Sequence, residues 1–296
     1  MKRIIFILII ILLVSCKNTN KNAEVEISAV ESQTNSFVVI PEIKKTKFNQ
    51  TIESLLHDQT EISIYLESAK NINFNNNYEV YREGRERKII ELNKFEENLL
   101  ENYINYYDNK LKKYVLPDSV KVKSKLCEKA NLEFWGVGEG FTELRTQPNF
   151  YYNVFKNYVT KDYSDFLLLE AKDNSVLYSA DAGISITFEE VSERVLYWEN
   201  YLNKYPKSKM FEKAREDYIN YCTNYLFGMD NTPTFEYSTN EIYPENQIEF
   251  DRFISKNPKS KLTALLNLLF INIKKMNADE LRKMLNDECL KLYTIK

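Results

Sequence analysis

The chain concentrates three of its six glycines in Trp135-Gly136-Val137-Gly138-Glu139-Gly140-Phe141. Glycine tolerates positive φ and lets the backbone approach a ligand closely. Glu139, Glu143 and Arg145 put charge beside the aromatic pair, so Trp135, Glu139, Glu143 and Arg145 form a candidate ligand or interaction loop. Paired carboxylates there would suit acid–base cleavage of a glycosidic bond. The G-x-G-x-G spacing matches neither a dinucleotide fingerprint nor a phosphate loop, because no Lys-Ser/Thr follows and no clear strand precedes it. The competing reading is a turn joining two helical blocks. His57, the single histidine, stands beside Glu53, Asp58 and Glu61 as a solvated surface residue does, with no Cys, Ser or second His to act with. Cys127, Cys222 and Cys289 include no CxxC spacing, so neither a zinc site nor a disulfide framework is predicted. Buried thiols on helix faces are expected; one long-range disulfide stays open. No cofactor and no metal is expected.

The elements that would position these residues are helices. Phe188, Val191, Val195, Trp198, Leu202 and Tyr205 fall at intervals of three and four, leaving Glu189, Glu193, Arg194 and Lys204 largely on the other face. Thr187 with Glu190 has the capping-box pattern, and Pro206 predicts a break near residue 205. Ser208 can cap a second helix with the stripe Phe211, Ala214, Tyr218, Cys222 (or Tyr221) and Tyr225, which Gly228 stops. Upstream, one stripe runs Phe48, Ile52, Leu55, Ile62, Leu66 and Ala69. Another runs Ile89, Leu92, Phe95, Leu99, Tyr103, Tyr106 (or Tyr107) and Tyr114, and its mixed-charge run Arg82–Lys88 reads as a solvated face. After Pro117, a helix capped by Asp118-Ser119 is expected to run towards Trp135. Tyr151, Val154, Phe155 and Tyr158, then Tyr163, Phe166 and Leu167, continue the spacing. Asn277 with Glu280 caps a final helix over Ala278–Leu292.

Pro206-Lys207-Ser208-Lys209 recurs as Pro258-Lys259-Ser260-Lys261, 52 residues further on, with Trp198 matched by Phe250, Tyr201 by Phe253, Leu202 by Ile254 and Tyr218 by Phe270. The element Tyr201-Leu202-x-x-Tyr205-Pro206-x-Ser208 followed by Ala214…Tyr218 resembles the tetratricopeptide-like repeats of bacterial envelope lipoproteins. In the second copy Asn257 replaces the Tyr and Leu266 the Ala. The resemblance implies an all-α fold of stacked helical hairpins, a tetratricopeptide-like α-solenoid in two helical blocks, whose surface binds a protein or peptide. Trp198 and Phe250 are then interior packing residues. Tyr and Phe together number 38; at helical spacing they suit packing layers, and the lining of a glycan or peptide groove is the alternative.

At the N-terminus, Lys2-Arg3 precedes the apolar run Ile4–Val14, and Leu13-Val14-Ser15-Cys16 resembles the lipobox of bacterial lipoproteins, in which the Cys is acylated. The run is short for a membrane span, so residues 1–15 read as a lipoprotein signal peptide. Residues 16–45 read as a flexible tether, with Phe37–Ile40 as a short extended piece, residues 46–135 as an N-terminal helical block and 136–296 as a C-terminal helical-repeat block. The net charge of −3, and the scarcity of Gly and Pro at 6 and 7, fit a helical globular chain with no nucleic-acid footprint. The expectation is a non-catalytic, lipid-anchored interaction scaffold of the bacterial envelope, on the outer membrane facing the periplasm. It would be held to the membrane through acylated Cys16 and bind another envelope protein or peptide. The alternative is an envelope glycan or cell-wall hydrolase, or a glycan-binding lipoprotein, using the Trp135–Arg145 loop.

Overall fold

The computed structural model describes residues 46–68 and 73–293. The expected signal segment 1–15, the expected acylation site Cys16, the expected tether 16–45 and Ala69 lie outside the described residues. Residues 44–296 make up one compact unit. Eleven α-helices and five two-stranded antiparallel ribbons occur among the described residues. None of the described helices is long and apolar enough to cross a membrane.

α1 (Lys47–Ser68) and α2 (Asn75–Phe95) run antiparallel. Lys47 lies over the Phe95 ring at one end, and Tyr65 meets Phe74 at the other. Phe48, Ile52, Leu55, Ile89 and Leu92 are buried between them as their spacing requires, and His57 is exposed. The Arg82–Lys88 run is not a fully solvated face. Arg82 grips Glu170 with two nitrogens, at 2.6 and 2.9 Å, and Arg85 is only 2% exposed, beneath Phe150.

α3 (Glu97–Glu101) and a 3-10 turn (Tyr103–Tyr106) follow, and there the helical stripe ends. Asp108 accepts the N–H groups of Lys110 and Leu111 at 2.8 and 2.9 Å, and Lys112 takes a φ of 52°. That side-chain turn closes a hairpin of β1 (Tyr107–Asp108) and β2 (Lys113–Tyr114), so Tyr114 is not helical. α4 (Asp118–Lys129) follows Pro117, which takes the N-cap position in place of the expected Asp118-Ser119 cap and gives no side-chain cap bond, and the helix stops well before Trp135. Asn131, at a φ of 53°, takes the left-handed conformation that ends helices. The chain then enters β3 (Leu132–Gly138), paired with β4 (Phe141–Thr146). The helical class holds; the segment from Asn131 to Thr146 is corrected from helix and turn to a ribbon. Its period-2 alternation covers too few residues to outweigh the helical spacing on either side.

α5 (Phe150–Phe155) and α6 (Lys161–Asp173) pack with the far ends of α1 and α2 around Leu66, Phe74 and Tyr78. A ribbon of β5 (Ser179–Ala180) and β6 (Gly183–Ile184) leads to α7 (Phe188–Lys204) and α8 (Phe211–Phe227). Short ribbons β7 (Gly228–Met229) with β8 (Thr232–Pro233) and β9 (Phe235–Glu236) with β10 (Glu241–Ile242) precede α9 (Pro244–Lys256), α10 (Lys261–Asn272) and α11 (Ala278–Lys291). The largest core runs from Phe166 on α6 to Cys289 on α11. The expected block boundary after residue 135 falls inside β3, whose Leu132 is buried in the same core as Phe48 and Leu144.

Three of the expected helix ends follow the sequence. Thr187 with Glu190 and Asn277 with Glu280 both form complete capping boxes, and Gly228 ends α8 at a φ of 69°. A Cβ on Gly228 would stand 2.0 Å from the Thr232 carbonyl oxygen, so glycine is required there. Ser260 caps α10, whereas α8 begins at Phe211 and Ser208 lies ahead of it, accepting the Met210 N–H.

The two Pro-Lys-Ser-Lys turns share backbone geometry although their flanking residues differ. Tyr205 has φ −126° and ψ 57°; Asn257 has φ −129° and ψ 55°. Each caps its helix by donating to the carbonyl four residues back, Tyr201 at 2.9 Å and Phe253 at 2.8 Å. In both turns the serine then donates to a carboxylate of the preceding helical layer: Ser208 to Asp162 of α6, and Ser260 to Glu199 of α7 at 2.7 Å. Glu199 also accepts the Lys261 N–H at 3.1 Å. The recurring serine is therefore a docking point between successive layers, which gives a physical reason for its repetition.

Candidate functional site

Alternation along β3 and β4 divides their side chains between two faces. Leu132, Phe134 and Leu144 turn inward, with Phe134 stacked on Tyr103 at 4.5 Å between centroids. Glu133 pairs with Arg145 and Trp135 with Glu143 in register, so these four share the outward face. Three of the four residues singled out in the sequence, Trp135, Glu143 and Arg145, are thus brought together. Glu139 is not among them. It sits at the tip with a φ of 52°, between Gly138 at 101° and Gly140 at 84°. The glycines have a packing role as well: a Cβ on Gly138 would lie 2.5 Å from that of Ala180, where the tip meets the β5–β6 ribbon.

Arg145 is already engaged. Its Nε donates to Glu133 Oε1 at 2.8 Å, its Nη2 to the Asn174 carbonyl at 2.8 Å, and its guanidinium lies 3.4 Å from the Trp135 ring centroid. One face of Trp135 is therefore covered, and a sugar stacking on that face must displace the arginine. Desolvation, reinforced by Glu86, raises the Glu143 carboxyl above its ordinary value, against the pull of Arg145. Glu133, which the sequence did not single out, closes the ion pair with Arg145 at 2.7 Å. Its signal was available: in an antiparallel ribbon turning at Gly138–Gly140, position 133 opposes position 145.

Glu133 also borders a cleft of about 330 Å³ with Gln59, Asn131, Gln147, Phe150 and Asn153. Its wall is rich in amides and holds Glu133 as its one carboxylate, so it offers hydrogen bonds rather than an acid–base pair. Among the described residues no three His, Cys, Asp or Glu side chains converge as a metal site would. Cys127, Cys222 and Cys289 are buried free thiols, and those of Cys222 and Cys289 hydrogen-bond to each other between α8 and α11.

The most perturbed carboxyls lie elsewhere, on α6 and α8, against side chains of α7. Trp198 Nε1 donates to Asp173 Oδ2 at 2.8 Å, and Tyr197 also donates to this carboxylate. Arg194 approaches it to 3.4 Å and donates to the Asp173 carbonyl at 3.1 Å and the Tyr221 hydroxyl at 2.9 Å. Burial pushes the Asp173 carboxyl up to about 6 despite Arg194. Desolvation pushes Asp217 up to about 7, with Asp173, Glu170 and Glu216 adding repulsion and Lys213 opposing it. Arg194, expected largely on the polar face, is 5% exposed. It lies three residues after Val191 and four before Trp198, which places it at the edge of the buried stripe.

An acid whose folded value is raised holds its proton more tightly when folded. Its stabilising effect is complete below the unfolded value, near 4, and is lost as pH rises through the folded value, about 7 for Asp217. Asp217→Asn removes this loss. We expect the variant to be more stable than wild type by about 1–2 kcal/mol at pH 8, discounted for solvent screening, and equal to it below pH 4. Urea unfolding across that range is the measurement; a constant difference at all pH values contradicts the assignment.

Compared with known families, curated proteins and solved structures, the chain has no match.

Proposed function

We propose that this chain is a lipid-anchored envelope scaffold without catalytic activity, whose α7–α8 and α9–α10 hairpins are tetratricopeptide-like repeats that present a surface to another envelope protein or peptide. The observation that carries this reading is the repeated docking of Ser208 on Asp162 and Ser260 on Glu199. The same residue of the same turn joins each hairpin to the layer before it, as stacking of one repeat on the next requires. The ring contacts of Tyr225 with Phe250 and Phe253, at 5.2 and 5.7 Å, and the 3.1 Å ion pair of Arg252 with Glu189 bind the two hairpins together.

The anchoring part of the proposal rests on the order of Lys2-Arg3, the apolar run and Leu13-Val14-Ser15-Cys16. A multiply acylated cysteine would hold the chain durably, since each buried methylene contributes roughly 0.8 kcal/mol. Its place would be the outer membrane facing the periplasm. The hydrolase alternative has no comparable support, because Glu139 stands apart from Glu143 and Arg145 already serves Glu133.

Mass spectrometry of the membrane fraction is expected to find diacyl- or triacyl-modified Cys16, and Cys16→Ala to release the chain from that fraction. Crosslinking in the native envelope followed by co-purification should recover a protein partner whose yield falls when the repeat surface is altered. An unmodified wild-type chain would overturn the anchor; hydrolysis of envelope glycan that is lost in Glu143→Gln would overturn the non-catalytic reading.

A further inference from the structure

The seven residues Asn109–Val115, which close and follow the β1–β2 turn, are all exposed, and they include Leu111, Tyr114 and Val115. Ile104 just before the ribbon and Val122 on α4 are exposed as well. A soluble surface does not ordinarily leave so many large apolar side chains exposed within one stretch of chain. The charge around them is equally uneven. From Asp108 to Lys129 there are seven lysines against three acids, in a chain whose net charge is −3. Lys121 is paired with Asp118 and Lys123 with Glu96. Lys110, Lys112 and Lys113, which surround Leu111, pair with no carboxylate of the described residues.

We propose that the β1–β2 ribbon and the start of α4 form a membrane-contacting surface that takes the face of an anionic phospholipid bilayer. Leu111 and Val115 would enter the headgroup–acyl boundary, Tyr114 would lie at its level, and Lys110, Lys112 and Lys113 would meet lipid phosphates. The backbone at the tip is prepared for leaving water. Asp108 accepts the Lys110 and Leu111 N–H groups, and strand pairing joins Tyr107 to Tyr114 and Asp108 to Lys113.

The position of the first turn of α1 favours a lipid occupant over a protein one. Lys47, in the first turn of α1, lies 4.6 Å from the Phe95 ring, and Lys123 of α4 lies 4.9 Å from the ring of Phe48. The start of α1 is thus in contact with the helix whose first turns carry Val122, at the end of α2 from which the β1–β2 ribbon follows. The inference rests on the lipid-anchored reading above. If residues 16–45 act as the tether that the lipid-anchored reading requires, a chain of that length would reach roughly 30 Å, and an acyl chain on Cys16 would hold this surface at high effective concentration next to the bilayer.

The test uses residues 17–296 without acyl chains and protein-free vesicles, either pure phosphatidylcholine or phosphatidylcholine with phosphatidylglycerol. Partitioning onto the anionic vesicles is expected to exceed that onto neutral ones at least about tenfold and to fall with added salt. Neutralising Lys110, Lys112 and Lys113 to Gln is expected to lower partitioning roughly a hundredfold, since each lysine near such a surface contributes about fivefold. Leu111→Asp should lower it about tenfold or more with an unchanged unfolding midpoint, because the side chain is 57% exposed. Absence of partitioning, partitioning indifferent to lipid charge, or wild-type partitioning of Leu111→Asp each overturns the proposal. Binding to a membrane protein in vesicles where lipid alone fails would do the same and assign the surface to a protein. Failure of the anchor itself appears separately, as unmodified Cys16 in the mass spectrum.

Discussion

Trp198→Ala is expected to destabilise the fold by about 3–5 kcal/mol, a large share of the roughly 5–15 kcal/mol that holds a domain folded. Trp198 is 0% exposed and packs against Phe166 and Tyr201 at 5.4 and 5.9 Å between centroids. Truncation leaves a cavity in the largest core and removes one donor from the Asp173 carboxylate. Phe250→Ala, at the matching position of the next hairpin, should cost about 3–4 kcal/mol, because that ring is also 0% exposed but makes no polar contact. Trp198→Phe separates the two contributions: it keeps most of the apolar volume, and its remaining cost reports chiefly the lost hydrogen bond, about 1–3 kcal/mol. Chemical denaturation provides the readout. Wild-type midpoints and slopes for both alanine variants would show that these aromatics are not packing residues and would favour the aromatic-groove alternative.

Arg194→Met is expected to cost about 3–5 kcal/mol at pH 8, since it strands a buried Asp173 carboxylate. The cost should shrink as pH falls. In the wild type the Asp173 carboxyl is already raised to about 6 by burial, with Arg194 the main opposing influence, ahead of the hydrogen bond from Trp198. Without Arg194 the folded value rises further, so the folded variant takes up a proton that the unfolded chain, near 4, does not. Stability of the variant therefore increases as pH drops from 8 through that raised value, and at pH 5 the penalty should be visibly smaller. Adding Asp173→Asn to Arg194→Met should recover part of the loss at pH 8. Equal penalties at pH 5 and pH 8, or a penalty below 1 kcal/mol at both, would mean that Asp173 does not carry the burden assigned to it.

Trp198 and Arg194 lie on one helix, and they mark how far spacing alone reaches. The interval pattern Val191, Val195, Trp198, Leu202 identified α7 and its buried stripe. It could not say that the flank of the stripe would also be covered, because that depends on α6 bringing Asp173 and on α8 bringing Tyr221. A charged residue at the edge of an apolar stripe is solvated or buried according to what the neighbouring helix presents. The same holds for Arg85, which read as surface and lies beneath Phe150.

Local rules determined the helix ends. Thr187 with Glu190, Asn277 with Glu280, Pro206 and Gly228 act within four residues of themselves, so their sequence signals match their structural roles. The recurring turn was legible for the same reason: Tyr205 and Asn257 differ in kind yet take one backbone conformation, and the proline that follows keeps both out of the helical region.

The strands between Asn131 and Thr146 were decided by tertiary structure. Leu132, Phe134 and Leu144 form too short an alternation to be recognised alone; it becomes favourable only because Phe48, Cys127 and Tyr103 wait to receive it. The candidate site divided along the same line. That Trp135, Glu143 and Arg145 carry chemistry-capable groups follows from the sequence, but that they share a face with Glu133, and that Glu139 does not, follows from the register of two strands. Helical spacing and caps are set by interactions within a turn or two, whereas register and the burial of a charge depend on partners tens of residues away.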